Sequence, residues 1–132
     1  MSLENNKSVV RAYVDAFNRG DLEALRALFA PGALIYGVLG WGEIDKAMPI
    51  WRELVHSLKM NLVIDDMAAE GDTVAVRYTE RGTFVAPFRG KEPTGKSYEL
   101  IAMEWFKLEN GKIARRWGAR DAQFQSRQLG TT

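Results

Sequence analysis

The chain has 132 residues, of which 46% are hydrophobic and 27% are charged, and its formal net charge is +1 at pH 7. This size and composition predict one globular domain over residues 1–132. The small net charge gives no strong field for nucleic acid or anionic lipid, and we expect neither as a partner. The N-terminus has no apolar run of the signal-peptide type, and no stretch is long enough to span a bilayer. We therefore expect a soluble, cytoplasmic protein.

Helical periodicity dominates the first half of the chain. Apolar residues recur at spacings of three and four over residues 3–18, and this stripe stops at Gly20, a residue that often follows a helix. Asp21 is suited to cap a second helix, DLEALRALFA, which the following Pro-Gly pair would end. After a short strand, ALIYGVL, the segment EIDKAMPIWRELVHSL predicts a third helix, with Pro49 as a kink or near its start.

The apolar period changes to two after Lys59. Four strands are predicted, separated by turns: NLVIDDMAAE, TVAVRYTERGTF, SYELIAMEWFKL and KIARRWGARD. Helices followed by a meander of long strands indicate an α+β fold, a bent antiparallel sheet with the helices on one face. The remaining tail, QFQSRQLGTT, is predicted to form a turn and then fray.

A sequence match to the phosphate-binding loop occurs at GKEPTGKS, from Gly90 to Ser97. Such a loop must lead directly into the N-terminus of a helix. A strand pattern follows here, so we interpret the segment as a hairpin loop. Metal binding is not expected, because His56 is the only histidine and the chain has no cysteine. We expect His56 near the end of a helix, at the surface, and we predict no cofactor.

The strand SYELIAMEWFKL carries an acid on an apolar face. Every second residue from Tyr98 to Leu108 lies on the same face, and these residues are apolar except for Glu104 in their middle. The other parity, which includes Ile101 and Trp105, is apolar as well. A strand that is apolar on both faces needs cover on both, and we therefore predict a homodimer formed through the outer face of the sheet.

A second acid ends the strand KIARRWGARD. Ile113, Trp117 and Ala119 occupy alternate positions, and the same parity ends on Asp121. A bulge in this strand would exchange Asp121 for Arg120. Two interpretations remain open for Glu104 and Asp121, namely functional acids in a pocket or ion pairs with arginines such as those at positions 77, 81 and 120.

Three segments together resemble the SnoaL-like polyketide cyclases, which belong to the nuclear transport factor 2-like cone fold with the ketosteroid isomerases. They are VVRAYVDAFNRGDLEALRALFAPGA, EGDTVAVRYTERGTF with GKEPTGKS, and LENGKIARRWGARDAQFQSRQLG. The resemblance implies a cone-shaped roll, in which a strongly curved antiparallel or mixed sheet wraps around the N-terminal helices and encloses an apolar pocket. It also implies that Asp121 is the general acid–base residue, while Glu104 stands where the cyclases place a histidine.

The resemblance to the isomerases concerns the oxyanion hole. Tyr13 is similar to their helix-borne tyrosine, and Glu104 to the protonated acid that donates the second hydrogen bond. Their catalytic aspartate aligns near Gly37. The chain thus combines an isomerase-like oxyanion pair with a cyclase-like acid–base residue, Asp121.

These features lead to the hypothesis of a cofactor-independent cyclase or isomerase that enolises a hydrophobic, polyketide- or steroid-like carbonyl compound. We predict that the catalytic residues are Tyr13, Glu104 and Asp121, and that the substrate contacts Phe17, Tyr36, Trp41, Trp51, Trp117, Arg77 and Arg120. Two alternatives stay open. One is a ligand-binding or accessory domain without catalysis. The other is a hydrolase of the limonene-epoxide type, which would need Arg77 or Arg120 near Asp121.

Overall fold

Residues 2–131 are described by the computed structural model, which has four helices and six strands in that range. The helices are α1 (Leu3–Arg19), α2 (Leu22–Ala27), α3 (Ile44–Leu58) and α4 (Ala122–Leu129). The strands are β1 (Phe29–Gly37), β2 (Gly40–Gly42), β3 (Asn61–Glu70), β4 (Thr73–Thr83), β5 (Ser97–Glu109) and β6 (Lys112–Arg120). They form one sheet in the order β2-β1-β6-β5-β4-β3, in which only β1 and β6 are parallel. The predicted α+β class is confirmed.

The core lies between the inner face of the sheet and helices α1 and α3. Helix α1 begins after Ser2, whose hydroxyl accepts a hydrogen bond from the Asn5 amide, and it ends at Gly20, whose φ of 71° few other residues adopt readily. Its buried stripe faces β3 and β4, and α3 buries Met48 and Trp51. Pro49 lies inside α3, which continues through it. The helices thereby cover one face of the sheet and leave the other uncovered.

The second predicted helix is shorter than expected, and the following strand starts earlier. Helix α2 ends at Ala27, and Phe29 already pairs with Ile113 of β6. The Phe29 side chain is buried, so burial in the sheet outweighs the helical pattern of DLEALRALFA. Strand β1 runs through the Pro-Gly pair, at the cost of an irregular register between Phe29 and Leu34.

The tail also differs from its prediction, because residues 122–129 form helix α4. The carboxylate of Asp121 caps this helix by accepting a hydrogen bond from the Phe124 amide at 2.8 Å. The side chain of Gln128 hydrogen-bonds both backbone groups of Glu99 on β5, and Leu129 is buried. These contacts order a segment whose sequence has few apolar residues.

The later strands follow the predicted segments closely. Strand β5 alternates between buried and exposed side chains along its whole length, with Glu104 on the buried face. The segment GKEPTGKS is a loop that leads into this strand, which confirms its interpretation as a hairpin loop. His56 is exposed near the end of α3, as predicted.

Within residues 2–131, no helix is both long enough and apolar enough to cross a bilayer.

Candidate active site

A cavity opens between the inner face of the sheet and helices α1, α3 and α4. Its apolar wall includes Phe17, Ile35, Trp51, Met60 and Leu62, and its polar floor includes Tyr13, Glu104, Arg116, Arg120 and Gln125. The turn between β1 and β2, with exposed Val38 and Leu39, forms part of the mouth. Its volume is about 70 Å³, compared with roughly 150 Å³ for an engineered cavity that admits benzene. A bulky ligand therefore has to extend into the mouth.

A β-bulge in β6 decides which side chains face this cavity. Lys107 pairs with Arg115 and Leu108 with Ile113, so Ala114 is the extra residue between them. The bulge reverses the parity of the strand: beyond it Arg116, Gly118 and Arg120 face inward, while Trp117 and Ala119 face outward. The predicted parity of KIARRWGARD was therefore wrong beyond Ile113.

Glu104 is held by buried partners on the cavity floor. Its Oε1 accepts a hydrogen bond from the Tyr78 hydroxyl at 2.9 Å, and its Oε2 forms a salt bridge with Nη1 of Arg116. A second guanidinium, that of Arg120, lies 3.8 Å from the same oxygen. Such an ion pair requires the carboxylate form, and both oxygens act as acceptors. The arrangement does not support the predicted role of Glu104 as a protonated hydrogen-bond donor.

Tyr13 and Arg116 form the part of the floor best suited to bind an oxygen anion. Nη1 of Arg116 donates to the Tyr13 hydroxyl at 3.2 Å, and Nη2 donates to the carbonyl oxygen of Tyr36 at 3.2 Å. Because the Tyr13 oxygen accepts from Arg116, its own proton is available to a ligand in the cavity. Gly118 makes room for this arginine, since a Cβ there would lie 3.2 Å from Nη1.

A second buried ion pair lies beside the first. Nε of Arg120 donates to Oε1 of Glu80 at 2.7 Å, and the Tyr98 hydroxyl donates to Oε2 at 2.7 Å. Arg120 thus bridges two carboxylates, those of Glu80 and Glu104. Two acids and two arginines balance their charges in this cluster, which makes their burial tolerable.

The pKa values of the cluster reflect this balance. Burial raises the pKa of Tyr13 well above its ordinary value, although Arg116 acts in the opposite direction. Burial opposes the charge of Arg116, but Glu104 and Tyr13 outweigh it, so the pKa of Arg116 is raised. The Tyr13 hydroxyl therefore keeps its proton, and Arg116 keeps its charge, at any physiological pH.

Asp121 does not lie in the cavity. Its exposed carboxylate caps α4 and borders a shallow surface depression with Thr79, Ile101 and Phe124. The strand ends one residue earlier, and the bulge places Arg120 on the inner face in its stead. The structure therefore separates Asp121 from the other two predicted catalytic residues, Tyr13 and Glu104, which it brings together.

The predicted substrate-binding residues divide between the two faces of the sheet. Phe17, Trp51 and Arg120 line the cavity. The others lie outside it. Trp41 contacts Tyr36 in a tilted geometry and Trp117 edge to face, with ring centroids 5.1 and 5.9 Å apart, and Arg77 is exposed near Asp65. Tyr36, Trp117 and Arg77 border a groove on the outer face. The predicted parity of Trp117 failed because the bulge in β6 turns this side chain to the outer face.

Several residues of the site were missed by sequence analysis, namely Lys46, Tyr78, Glu80, Arg89, Arg116 and Gln125. Glu80 carries the same signal that identified Glu104, an acid on the apolar parity of its strand. Two buried acids on adjacent strands also predict two buried cations, because an unpaired buried charge is costly. Arg116 could have been inferred from that charge balance, but only with knowledge of the bulge.

Comparison with known proteins agrees with this fold. Residues 10–116 match the model of the SnoaL-like domain, and the chain therefore belongs to the SnoaL-like family. Its fold is the nuclear transport factor 2-like cone that the sequence predicted, here with an open sheet.

Solved structures share this fold over nearly the whole chain. AclR of Streptomyces galilaeus, a proposed hydroxylase, is 23% identical with a TM-score of 0.90, covering 99% of both chains. IdmH of Streptomyces antibioticus, a proposed polyketide cyclase, is 28% identical with a TM-score of 0.82, covering 95% of this chain and 98% of IdmH. A proposed SnoaL-like polyketide cyclase from Jannaschia sp. CCS1 is 20% identical with a TM-score of 0.87, covering 98% and 94%.

Proposed function

We propose that the protein is a cofactor-independent cyclase or isomerase that enolises a hydrophobic carbonyl compound in the cavity. The observation that carries the proposal is the hydroxyl of the buried Tyr13, which lines the cavity, accepts a hydrogen bond from Arg116 and has its proton free for a ligand. A buried donor of this kind stabilises an oxygen anion more strongly than water does. The similarity to IdmH, a proposed polyketide cyclase, supports a polyketide-like substrate.

Glu104 is the proton acceptor in this proposal, because it is the one carboxylate among the described residues that line the cavity. It takes a proton from the carbon next to a carbonyl group, and the electron pair moves onto the carbonyl oxygen beside Tyr13. In a cyclisation, the enolate carbon attacks a second carbonyl of the same molecule, and the resulting alkoxide recovers the proton from Glu104. A carboxylate base acts most readily on substrates with acidic C–H groups, such as 1,3-dicarbonyl compounds.

Replacing Tyr13 by phenylalanine is expected to lower kcat by about 10²- to 10³-fold with little change in KM, because it removes a donor used mainly in the transition state. The measurement is the ring closure of linear polyketones that contain 1,3-dicarbonyl units, followed by absorbance. Tyr36→Phe, which alters an exposed tyrosine on the outer face, is the matched control. Turnover that survives Tyr13→Phe would contradict the mechanism, and ligand binding without turnover by the unaltered protein would favour a binding domain.

A second candidate activity is the hydrolysis of an epoxide. Arg120 bridges a pair of carboxylates, because its guanidinium lies 2.7 Å from Glu80 and 3.8 Å from Glu104. Such a pair can orient and deprotonate water. Parallel assays with terpenoid epoxides and with 1,3-dicarbonyl compounds distinguish the two reactions, since only the hydrolase incorporates oxygen from labelled water into a diol.

We further propose that the protein forms a homodimer through the outer face of the sheet. Ile101, Met103 and Trp105 on β5 are 61%, 55% and 51% exposed there. Contiguous exposed apolar side chains of this kind mark interfaces. We expect Trp105→Glu to shift the protein from dimer to monomer in sedimentation equilibrium. Val85→Glu, at an exposed valine outside the strands, should leave the mass unchanged. A monomeric unaltered protein would refute the proposal.

A further inference from the structure

Positive charge predominates in the side chains that line the cavity. Four cationic side chains line it, Lys46, Arg89, Arg116 and Arg120, but only one carboxylate, that of Glu104. Glu104 and the buried Glu80 balance the charges of Arg116 and Arg120, which leaves Lys46 and Arg89 as the excess positive charge of the lining. A cation is available to a ligand only where it is not already engaged within the protein.

Three of the four cations are already engaged within the protein. Arg116 pairs with Glu104, and Arg120 pairs with Glu80. Nζ of Lys46 donates to two backbone carbonyl oxygens in the β1–β2 hairpin, at 3.0 and 2.8 Å. Across residues 2–131, Arg89 has no carboxylate within salt-bridge distance.

Arg89 is nevertheless held in place near the cavity. Its guanidinium carbon lies 4.7 Å from the centroid of the Phe88 ring, and its backbone amide donates to Oε2 of Glu53 at 3.3 Å. Partial burial lowers the pKa of Arg89. Glu53 opposes this change, whereas the charge of Arg120 adds to it. Arg89 and Arg120 both line the cavity, and an anion between them would be attracted by both positive charges.

Hydrogen-bond donors that can still bind an acceptor also line the cavity. Gln125 is 7% exposed, and its Nε2 has no hydrogen-bond partner among residues 2–131. Arg120 uses only Nε in a hydrogen bond, and its Nη2 lies 3.8 Å from Oε2 of Glu104, so N–H groups of its Nη atoms can still donate to a ligand. A buried donor without an acceptor is costly, and a ligand that supplies the acceptor recovers that cost.

We propose that Arg89, Arg120 and Gln125 form a subsite for a carboxylate group of the ligand. This inference rests on the proposed function, in which the cavity binds the substrate, and it narrows the substrate to a carbonyl compound with a free acid group. A planar carboxylate has about four acceptor positions, so it can accept from Nε2 of Gln125 and from N–H groups of Arg120 while Arg89 supplies charge. The apolar body of the ligand then lies along Phe17 and Trp51.

Binding of benzoate and of benzamide to the full chain tests this subsite, because the two probes share shape and differ in charge. In an NMR titration of labelled protein, benzoate is expected to bind about tenfold more tightly than benzamide and to shift the side-chain amide signal of Gln125. Arg89→Gln and Gln125→Leu should each reduce benzoate affinity towards that of benzamide. The control, Arg127→Gln, removes an exposed positive charge from α4 and should retain the preference.

Equal affinity for the two probes would overturn the proposal, as would a preference that persists in both Arg89→Gln and Gln125→Leu, or no saturable binding of benzoate. These outcomes are distinct from failure of the proposed reaction. Turnover that survives Tyr13→Phe refutes the reaction and leaves the benzoate preference untouched, whereas loss of the preference leaves the role of Tyr13 intact.

Discussion

Replacing Arg116 by methionine is expected to reduce the free energy of unfolding by about 3–5 kcal/mol, because it leaves the buried carboxylate of Glu104 without its main partner. The side chains of Arg116 and Glu104 are 7% and 1% exposed, so water cannot replace the lost interaction. The substitution also removes the donor to Tyr13 and to the backbone of Tyr36. Denaturation by urea, monitored by tryptophan fluorescence, measures the change.

The neighbouring arginine provides the control. Arg115 is exposed on the same strand, and Arg115→Met is expected to change stability by no more than about 0.5 kcal/mol. The double variant Arg116→Met/Glu104→Leu should recover much of the lost stability, since it removes both buried charges. If Arg116→Met were as stable as Arg115→Met, the ion pair on the cavity floor would not contribute as described.

Glu104→Gln is expected to lower turnover by about 10²- to 10⁴-fold, because the amide cannot accept a proton from the substrate. The glutamine still accepts a hydrogen bond from Tyr78, but it leaves Arg116 without a counter-charge, so the variant must first be shown to be folded by circular dichroism. Glu99→Gln, at an exposed glutamate of the same strand, is the control for the loss of one negative charge.

Asp121→Asn belongs in the same experiment, because it distinguishes the two acids. The exposed Asp121 caps α4, and asparagine is an equally good capping residue, so we expect turnover and stability to change little. The opposite result, with activity lost in Asp121→Asn and kept in Glu104→Gln, would return the acid–base role to Asp121. The two variants together decide whether the acid–base residue is Asp121, as the family resemblance implies, or Glu104, as the proposed mechanism in the cavity requires.

Much of the fold could be predicted from the sequence, because its signals are local. In β5 strict alternation placed Glu104 on the buried face, and Gly20 ended α1 where the helical stripe stopped. The end of α2 was harder to predict, because Phe29 does not continue the helix. It pairs instead with Ile113, a residue distant in the sequence. Helix α4 depends on contacts between Gln128 and β5, which cannot be predicted from the periodicity of the sequence.

The candidate site was only partly predictable, for a related reason. Tyr13 and Glu104 lie on regular elements, and their faces follow from the period. Arg116, Arg120 and Asp121 lie beyond a bulge, where one extra residue exchanges the two faces of the strand. A bulge leaves no sequence signature in KIARRWGARD, so the parity before it was extended too far.

The pairing of β6 with β1 has a consequence for the order in which the site forms. The hydrogen bond from Arg116 to Tyr36 joins residues 80 positions apart, and that from Arg116 to Tyr13 joins residues 103 apart. Contacts of such long range close late in folding, since the entropy of the intervening loop must first be overcome. During synthesis, the cavity floor cannot form until residues 112–120 have left the ribosome. Until then the edges of β1 and β5 that pair with β6 have no partner strand, and unpaired strand edges are prone to aggregation.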